Sequence, residues 1–134
     1  MSEFDLFRLA GSGMAAQRVA LDVAAENVAS ADAWTPHGVY RRKVAELSLA
    51  GDAFAGEVRV RVRETAEPPR WRYDPGDPRA ERSGPHRGQV AVSPVDPVSE
   101  MVALLGAERG YEADAAVLDT VKSGIMHALE VERS

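Results

Sequence analysis

The sequence contains no cysteine, which rules out a disulfide framework and a thiolate metal site alike. Aromatic residues make up only 6% of it, so any large core has to be aliphatic and rich in alanine and valine. No apolar stretch approaches the roughly 20 residues needed to span a bilayer, and membrane insertion is not expected. The N-terminus lacks a basic region followed by an apolar run, and Glu3 and Asp5 argue further against a Sec-type signal. A basic excess is missing as well. The net charge is −5, distributed as −2 over residues 1–31, +1 over 32–97 and −4 over 98–134. No segment carries the surplus that phosphate-backbone binding requires, so nucleic acid is not an expected partner. At 134 residues the chain fits one domain, and 45% apolar content excludes a wholly disordered one.

What is present falls into three parts. Residues 4–31 contain no proline and read as a helix. Phe7, Met14, Leu21 and Val28 repeat every seven residues, and Ala10, Gln17, Ala24 and Ala31 follow each by three. A second line, Leu9, Ala16 and Val23 with Val19 beside it, gives this helix two apolar sides. One helix of the same chain cannot cover both, so a partner outside the chain is expected. Residues 98–131 read as the second helix, with Asp96 as N-cap, Pro97 in the first helical position and Glu100 near the positive end of the dipole. Here Leu104, Tyr111, Leu118 and Ile125 repeat at seven, interleaved with Ala107, Asp114, Val121 and Ala128. Gly106 and Gly110 each cost about 1 kcal/mol of helix propensity relative to alanine, and mark either close packing or a bend.

The middle alternates instead. Val58, Val60 and Val62 fall on one face of a strand over Glu57–Arg63, and Arg59, Arg61 and Arg63 on the other. Tyr40–Leu49 is a weaker strand reached through the turn-prone Thr35–Gly38, Arg70–Tyr73 is another, and Gln89–Val92 is a short last strand. The fold class is therefore α+β: two long terminal helices pair as a coiled-coil-like element around a small β-hairpin and strand insertion. The expected division is 1–32 and 97–134 for a discontinuous helical domain and 33–96 for the insertion.

Candidate chemistry is sparse. His37, His86 and His127 have no partner at metal-ligand spacing, so no metal or cofactor is expected. Gly11-Ser12-Gly13 follows no strand and precedes no lysine, which fits a thin helix surface better than a phosphate loop. No nucleophile elbow or convergent acid pair is present, and the chain is not expected to be an enzyme. The arginine face of residues 59–63 is either a solvated face paired with Glu46, Glu64 or Glu67, or a contact for an acidic neighbour.

Three separated motifs resemble the flagellar rod and hook family, and cover nearly the whole chain. The first is Ala10-Gly-Ser-Gly-Met14-Ala-Ala-Gln17 with Leu21-Asp-Val-Ala-Ala25 and Asn27-Val-Ala29. The second is Tyr40-Arg41-Arg42, followed by Pro68-Pro69-Arg70 and Tyr73-Asp74-Pro75-Gly76-Asp77-Pro78, which is similar to the proximal rod subtype. The third is Val95-Asp96, Glu100-Met101-Val102, Glu108-Arg109-Gly-Tyr111-Glu112-Ala113 and Leu118-Asp-Thr120-Val-Lys122. Ser30, Pro94 and Asp114 stand where the family usually has asparagine, and Gly110 where it usually has alanine.

The resemblance implies a structural subunit of the basal-body rod that crosses the periplasm and transmits torque. It further implies export by the flagellar type III apparatus without a cleaved signal, with other rod proteins and the basal-body adaptor as neighbours. The expected assembly interface is Phe7, Met14, Leu21, Val28, Asn27, Leu104, Tyr111, Leu118 and Ile125, and the possible further subunit contact is Arg59, Arg61 and Arg63. The alternative from another class is a cytoplasmic helical adaptor or regulator that binds one partner protein.

Overall fold

The computed structural model describes residues 2–51 and 56–134. In chain order the elements are α1 (Glu3–Ala29), β1 (Trp34–Thr35), β2 (Gly38–Val39), β3 (Lys43–Ala50), β4 (Glu57–Glu64), β5 (Arg70–Tyr73), β6 (Gln89–Val92) and α2 (Pro97–Arg133). This is the α+β arrangement of two long terminal helices around antiparallel strand pairs.

Both helices begin on local chemistry. The Ser2 hydroxyl accepts from the Asp5 amide while the Asp5 carboxylate accepts from the Ser2 amide, a reciprocal capping box. The same hydroxyl donates to the Asp5 carboxylate and, with the Ser2 amide, holds that carboxyl below its usual range. At α2, Asp96 accepts from the Val98 amide and the Ser99 hydroxyl, and Pro97 takes the first helical position.

The helices run antiparallel, and the contacts advance in step along them. Asn27 meets Glu100, Gln17 lies over Gly110, Asp114 lies over Gly13, and Gly124 stands beside Glu3. With 27 and 37 residues they are about 40 and 55 Å long, so α2 outruns its partner. From Met126 onward every residue is exposed.

The buried stripe of α1 is Ala10, Gly13, Ala16, Val23, Ala24 and Asn27, which lies between the two lines expected from the sequence. Met14, Leu21 and Val28 sit at its margin, half-buried, and Phe7 is 49% exposed. The expectation that only an outside partner could cover the second side of α1 is corrected here. The β3–β4 hairpin lies along that side, where the Ser12 hydroxyl accepts from the Val58 amide at 2.8 Å, and Ala16 and Val23 are buried within the single chain. On α2 the anticipated seam faces α1: Ala107 and Val121 are buried, and Leu104, Tyr111, Asp114, Leu118 and Ile125 half-buried.

The hairpin pairs Ala45 with Val62, Leu47 with Val60 and Leu49 with Val58, so one face is apolar throughout. β5 and β6 pair in the register Arg70 to Val92 through Tyr73 to Gln89. Val90, Val95 and Tyr40 are each buried, and Trp71 stacks on His86 with ring centroids 3.9 Å apart. The stretch read as a turn at Thr35–Gly38 is the bend of a two-residue ribbon, β1 on β2. Gly38 sits at a φ of 117°, open to glycine, and the Thr35 hydroxyl donates to its carbonyl.

Candidate assembly site

Among the described residues, a densely bonded polar cluster joins both helices to the insertion. Asn27, 0% exposed at the end of α1, uses all of its carboxamide. Its Nδ2 donates to the Lys43 carbonyl at 2.8 Å and to Glu100 Oε2 at 3.1 Å, and its Oδ1 accepts from the Lys43 amide at 3.0 Å and the Tyr40 hydroxyl at 2.8 Å. Bonding both backbone groups of Lys43 makes this side chain act as a neighbouring strand would, and fixes where β3 begins. Glu100 is 2% exposed, yet its second oxygen accepts from Arg42, which also reaches towards Glu67. A buried carboxylate without such partners would carry a large desolvation penalty. Burial raises the Tyr40 hydroxyl pKa, which keeps it a donor.

Asn27 was expected at the assembly interface. In the single chain its side chain is enclosed, with every donor and acceptor satisfied. Glu100 was missed as a buried group because its position also suits the helix dipole. The signal was available, since Glu100 lies on the same stripe as Leu104, Ala107 and Tyr111, a carboxylate in line with the apolar seam.

Further along the helix pair, small residues accept polar side chains. A Cβ on Gly13 would lie 2.6 Å from Asp114 Oδ2, and one on Gly110 would lie 2.5 Å from Gln17 Nε2. Gly13 and Gly110 therefore mark close packing, whereas Gly106 and Gly11 face open space. Burial against α1 raises the pKa of Asp114. A carboxyl whose folded pKa lies above its unfolded value adds stability in acid and loses it as pH rises through the carboxylate range. Asp114→Asn is therefore expected to stabilise the chain at neutral pH and to leave it unchanged in acid. Urea midpoints of both proteins at pH 7 and pH 3 check this.

The other expected interface residues separate into two sets. Met14, Leu21, Val28, Leu104, Tyr111, Leu118 and Ile125 are half-buried along the α1–α2 pair, while Phe7 is exposed near the end that carries Phe4. The three arginines share one face of β4, but two are engaged locally: Arg63 bonds Glu46 across the hairpin, and Arg59 bonds Glu57 at 2.8 Å. Arg61 faces Glu46 in the strand register. Among the described residues no group of three or more histidines and carboxylates could hold a metal ion, and no helix is long and apolar enough to cross a membrane.

The first and last helices of the chain thus pair through a polar lock, with apolar side chains still exposed on both. A model of the family described as flagellar basal body rod FlgEFG protein C-terminal matches residues 86–126, which take in β6 and most of α2. Over 134 aligned residues the chain is 40% identical to the flagellar basal-body rod protein FlgC of Escherichia coli O6:H1, covering 96% of this chain and 97% of that one. The FlgC of Salmonella typhimurium is equally similar, 40% over the same shares. That of Bacillus subtilis is 31% identical over 155 aligned residues, covering 98% and 99%. The chain belongs to the FlgC family of flagellar basal-body rod proteins.

Proposed function

We infer that this chain is a structural subunit of the flagellar basal-body rod, in its proximal part, polymerising through its terminal helices to transmit torque across the periplasm. The observation that carries this reading is the identity to FlgC proteins along nearly the whole of both chains. The surface supports it: Phe4, Phe7, Val98, Met101, Leu105, Met126 and Leu129 are all large, apolar and exposed on the two helices. In this reading 1–32 and 97–134 form the shared wall, and 33–96 is the insertion. The exposed flanks of Phe7, Met14, Leu21, Val28, Leu104, Tyr111, Leu118 and Ile125 take part in contacts between subunits. Its partners are other rod proteins, further copies of itself and the basal-body adaptor. It reaches the periplasm through the flagellar type III apparatus with no signal removed, and performs no catalysis. A cytoplasmic adaptor is the disfavoured alternative, since no relative reported above is one.

The test is complementation of a strain lacking its own FlgC. Swimming should return, and the intact chain should be found in purified basal bodies. A chain confined to the cytoplasm of non-swimming cells overturns the reading.

The arginine face of β4 belongs to the same proposal as a contact for an acidic neighbouring surface. Changing Arg59, Arg61 and Arg63 together to glutamine removes the charge without placing carboxylates beside Glu46 and Glu57. Secretion is expected to be unchanged and the amount incorporated into rods to fall severalfold. Normal incorporation would show that the face is merely solvated.

A further inference from the structure

A small cleft opens where the turn after α1 meets the β1–β2 ribbon and the β5–β6 pair. It encloses about 260 Å³, and Asp32, Trp34, Val39, Arg72, Arg79 and Ser93 line it. No residue of the lock or of the helix seam takes part. Its polar groups are mostly donors. Arg79 is fixed before anything binds: two of its N–H groups bond the two oxygens of Asp77 at 3.0 and 2.8 Å, and its guanidinium carbon lies 4.9 Å from the centre of the Trp34 ring. The rest of that fork has no partner among the described residues. Arg72 is more than half exposed and meets Asp74 only at 3.9 Å, beyond hydrogen-bond reach. Ser93, 6% exposed, is the most deeply buried residue of the lining. Its hydroxyl accepts from the Val95 amide at 3.4 Å and donates to no group among the described residues. The Trp34 indole N–H finds no acceptor among them either. Against these donors stands one carboxylate, the exposed Asp32.

We propose that this cleft receives the carboxylate of an aspartate or glutamate side chain presented by a neighbouring protein of the rod. A buried donor left without an acceptor is costly, so a lining of this kind favours an acceptor from outside. Three features select a side-chain carboxylate. Arginine forks match a planar carboxylate, which they can grip through two parallel hydrogen bonds. The charge of Asp32 disfavours a dianion such as phosphate, while a single negative charge still gains from the two guanidiniums. The volume falls below the roughly 300 Å³ at which small-molecule sites begin, so the cleft suits one side chain and not a free metabolite. The clamp of Asp77 and Trp34 on Arg79 removes part of the ordering cost that binding would otherwise carry. The carboxylate site stands independently of the rod-subunit reading; that the neighbour is a rod protein rests on it.

The purified, isotope-labelled full chain is titrated at pH 7 with sodium acetate as the probe, against sodium chloride at equal ionic strength. Trp34 and Trp71 are the two tryptophans, and Trp71→Phe assigns their indole N–H signals. The Trp34 signal is expected to shift saturably with acetate, at a midpoint on the order of tens of millimolar for a few charge-assisted hydrogen bonds. Sodium phosphate should act more weakly. Arg72→Gln should weaken the acetate response at least tenfold and Ser93→Ala severalfold, whereas Arg82→Gln, outside the cleft, should leave it unchanged. A response no different from chloride, one unaltered by Arg72→Gln, or tighter binding of phosphate overturns the proposal. In cells, Arg72→Glu should lower the amount in basal bodies severalfold with secretion unchanged. Normal incorporation would overturn the assignment to a neighbour's side chain even where acetate binds. A wild-type chain absent from basal bodies would refute the rod-subunit reading, and with it this neighbour, without touching the acetate result.

Discussion

Asn27→Ala should destabilise the isolated chain by about 3–5 kcal/mol, the loss usual for breaking a buried charged network. The substitution leaves four groups short of a partner at once: the Lys43 amide and carbonyl, the Tyr40 hydroxyl and Glu100 Oε2. All four lie where water has little access, since Tyr40 and Glu100 are buried and Lys43 half-buried. Glu100→Gln is a milder change. Glutamine keeps the size and one acceptor, but it strips Arg42 of its charge partner, and Arg42 is exposed enough to recover part of that loss from water and from Glu67. The expected order is therefore Asn27→Ala well above Glu100→Gln, measured as urea-unfolding free energies of the purified chains. A loss under about 1 kcal/mol for Asn27→Ala would mean that the end of α1 is held by packing alone.

That lock shows what a sequence conceals. The helices, the cap of α2 and its seam were legible because each depends on neighbours within a turn or two: Asp96 with Pro97, Leu104 with Ala107 and Tyr111. The strand over 57–63 was legible for the same reason, since alternation is local. The side of α1 that the hairpin covers was not. Ser12 meets Val58 across 46 positions of chain and Asn27 meets Glu100 across 73, and no local period encodes such a meeting. The same holds for the arginine face. Its charges were visible, but their neutralisation depends on a register that sets Glu46 within reach of Arg63. The α1 stripe was misplaced by a fraction of a turn because glycine and alanine, which carry little hydrophobic signal, are what let α2 and the hairpin close in.

Leu118→Asp should abolish rod assembly while leaving the chain soluble and secreted. Leu118 is half-buried on the α1-facing side of α2, far along the helix from the lock at Asn27 and Glu100. Its counterpart Leu21 lies on α1 nearer to the lock, so the same change there also strains the anchored end. Beyond the lock α2 is held chiefly by α1, whereas α1 is held by both α2 and the hairpin. A carboxylate at 118 is expected to loosen the distal part of α2, where it can turn to water at little cost in a free chain. In a rod wall the same group would be enclosed, and an unpaired buried charge costs several kcal/mol per subunit. The asymmetry separates folding from assembly. Hydrogen exchange of the purified variant should quicken for residues 111–134 and stay slow around Asn27, Tyr40 and Val90. In cells its steady-state and secreted amounts should match the wild type, while its amount in basal bodies falls at least tenfold and swimming stops. Working rods built from abundant Leu118→Asp chains would show that this side of α2 faces water in the rod, whereas a variant degraded before secretion would show that the helix pair is needed for the chain to persist in the cell.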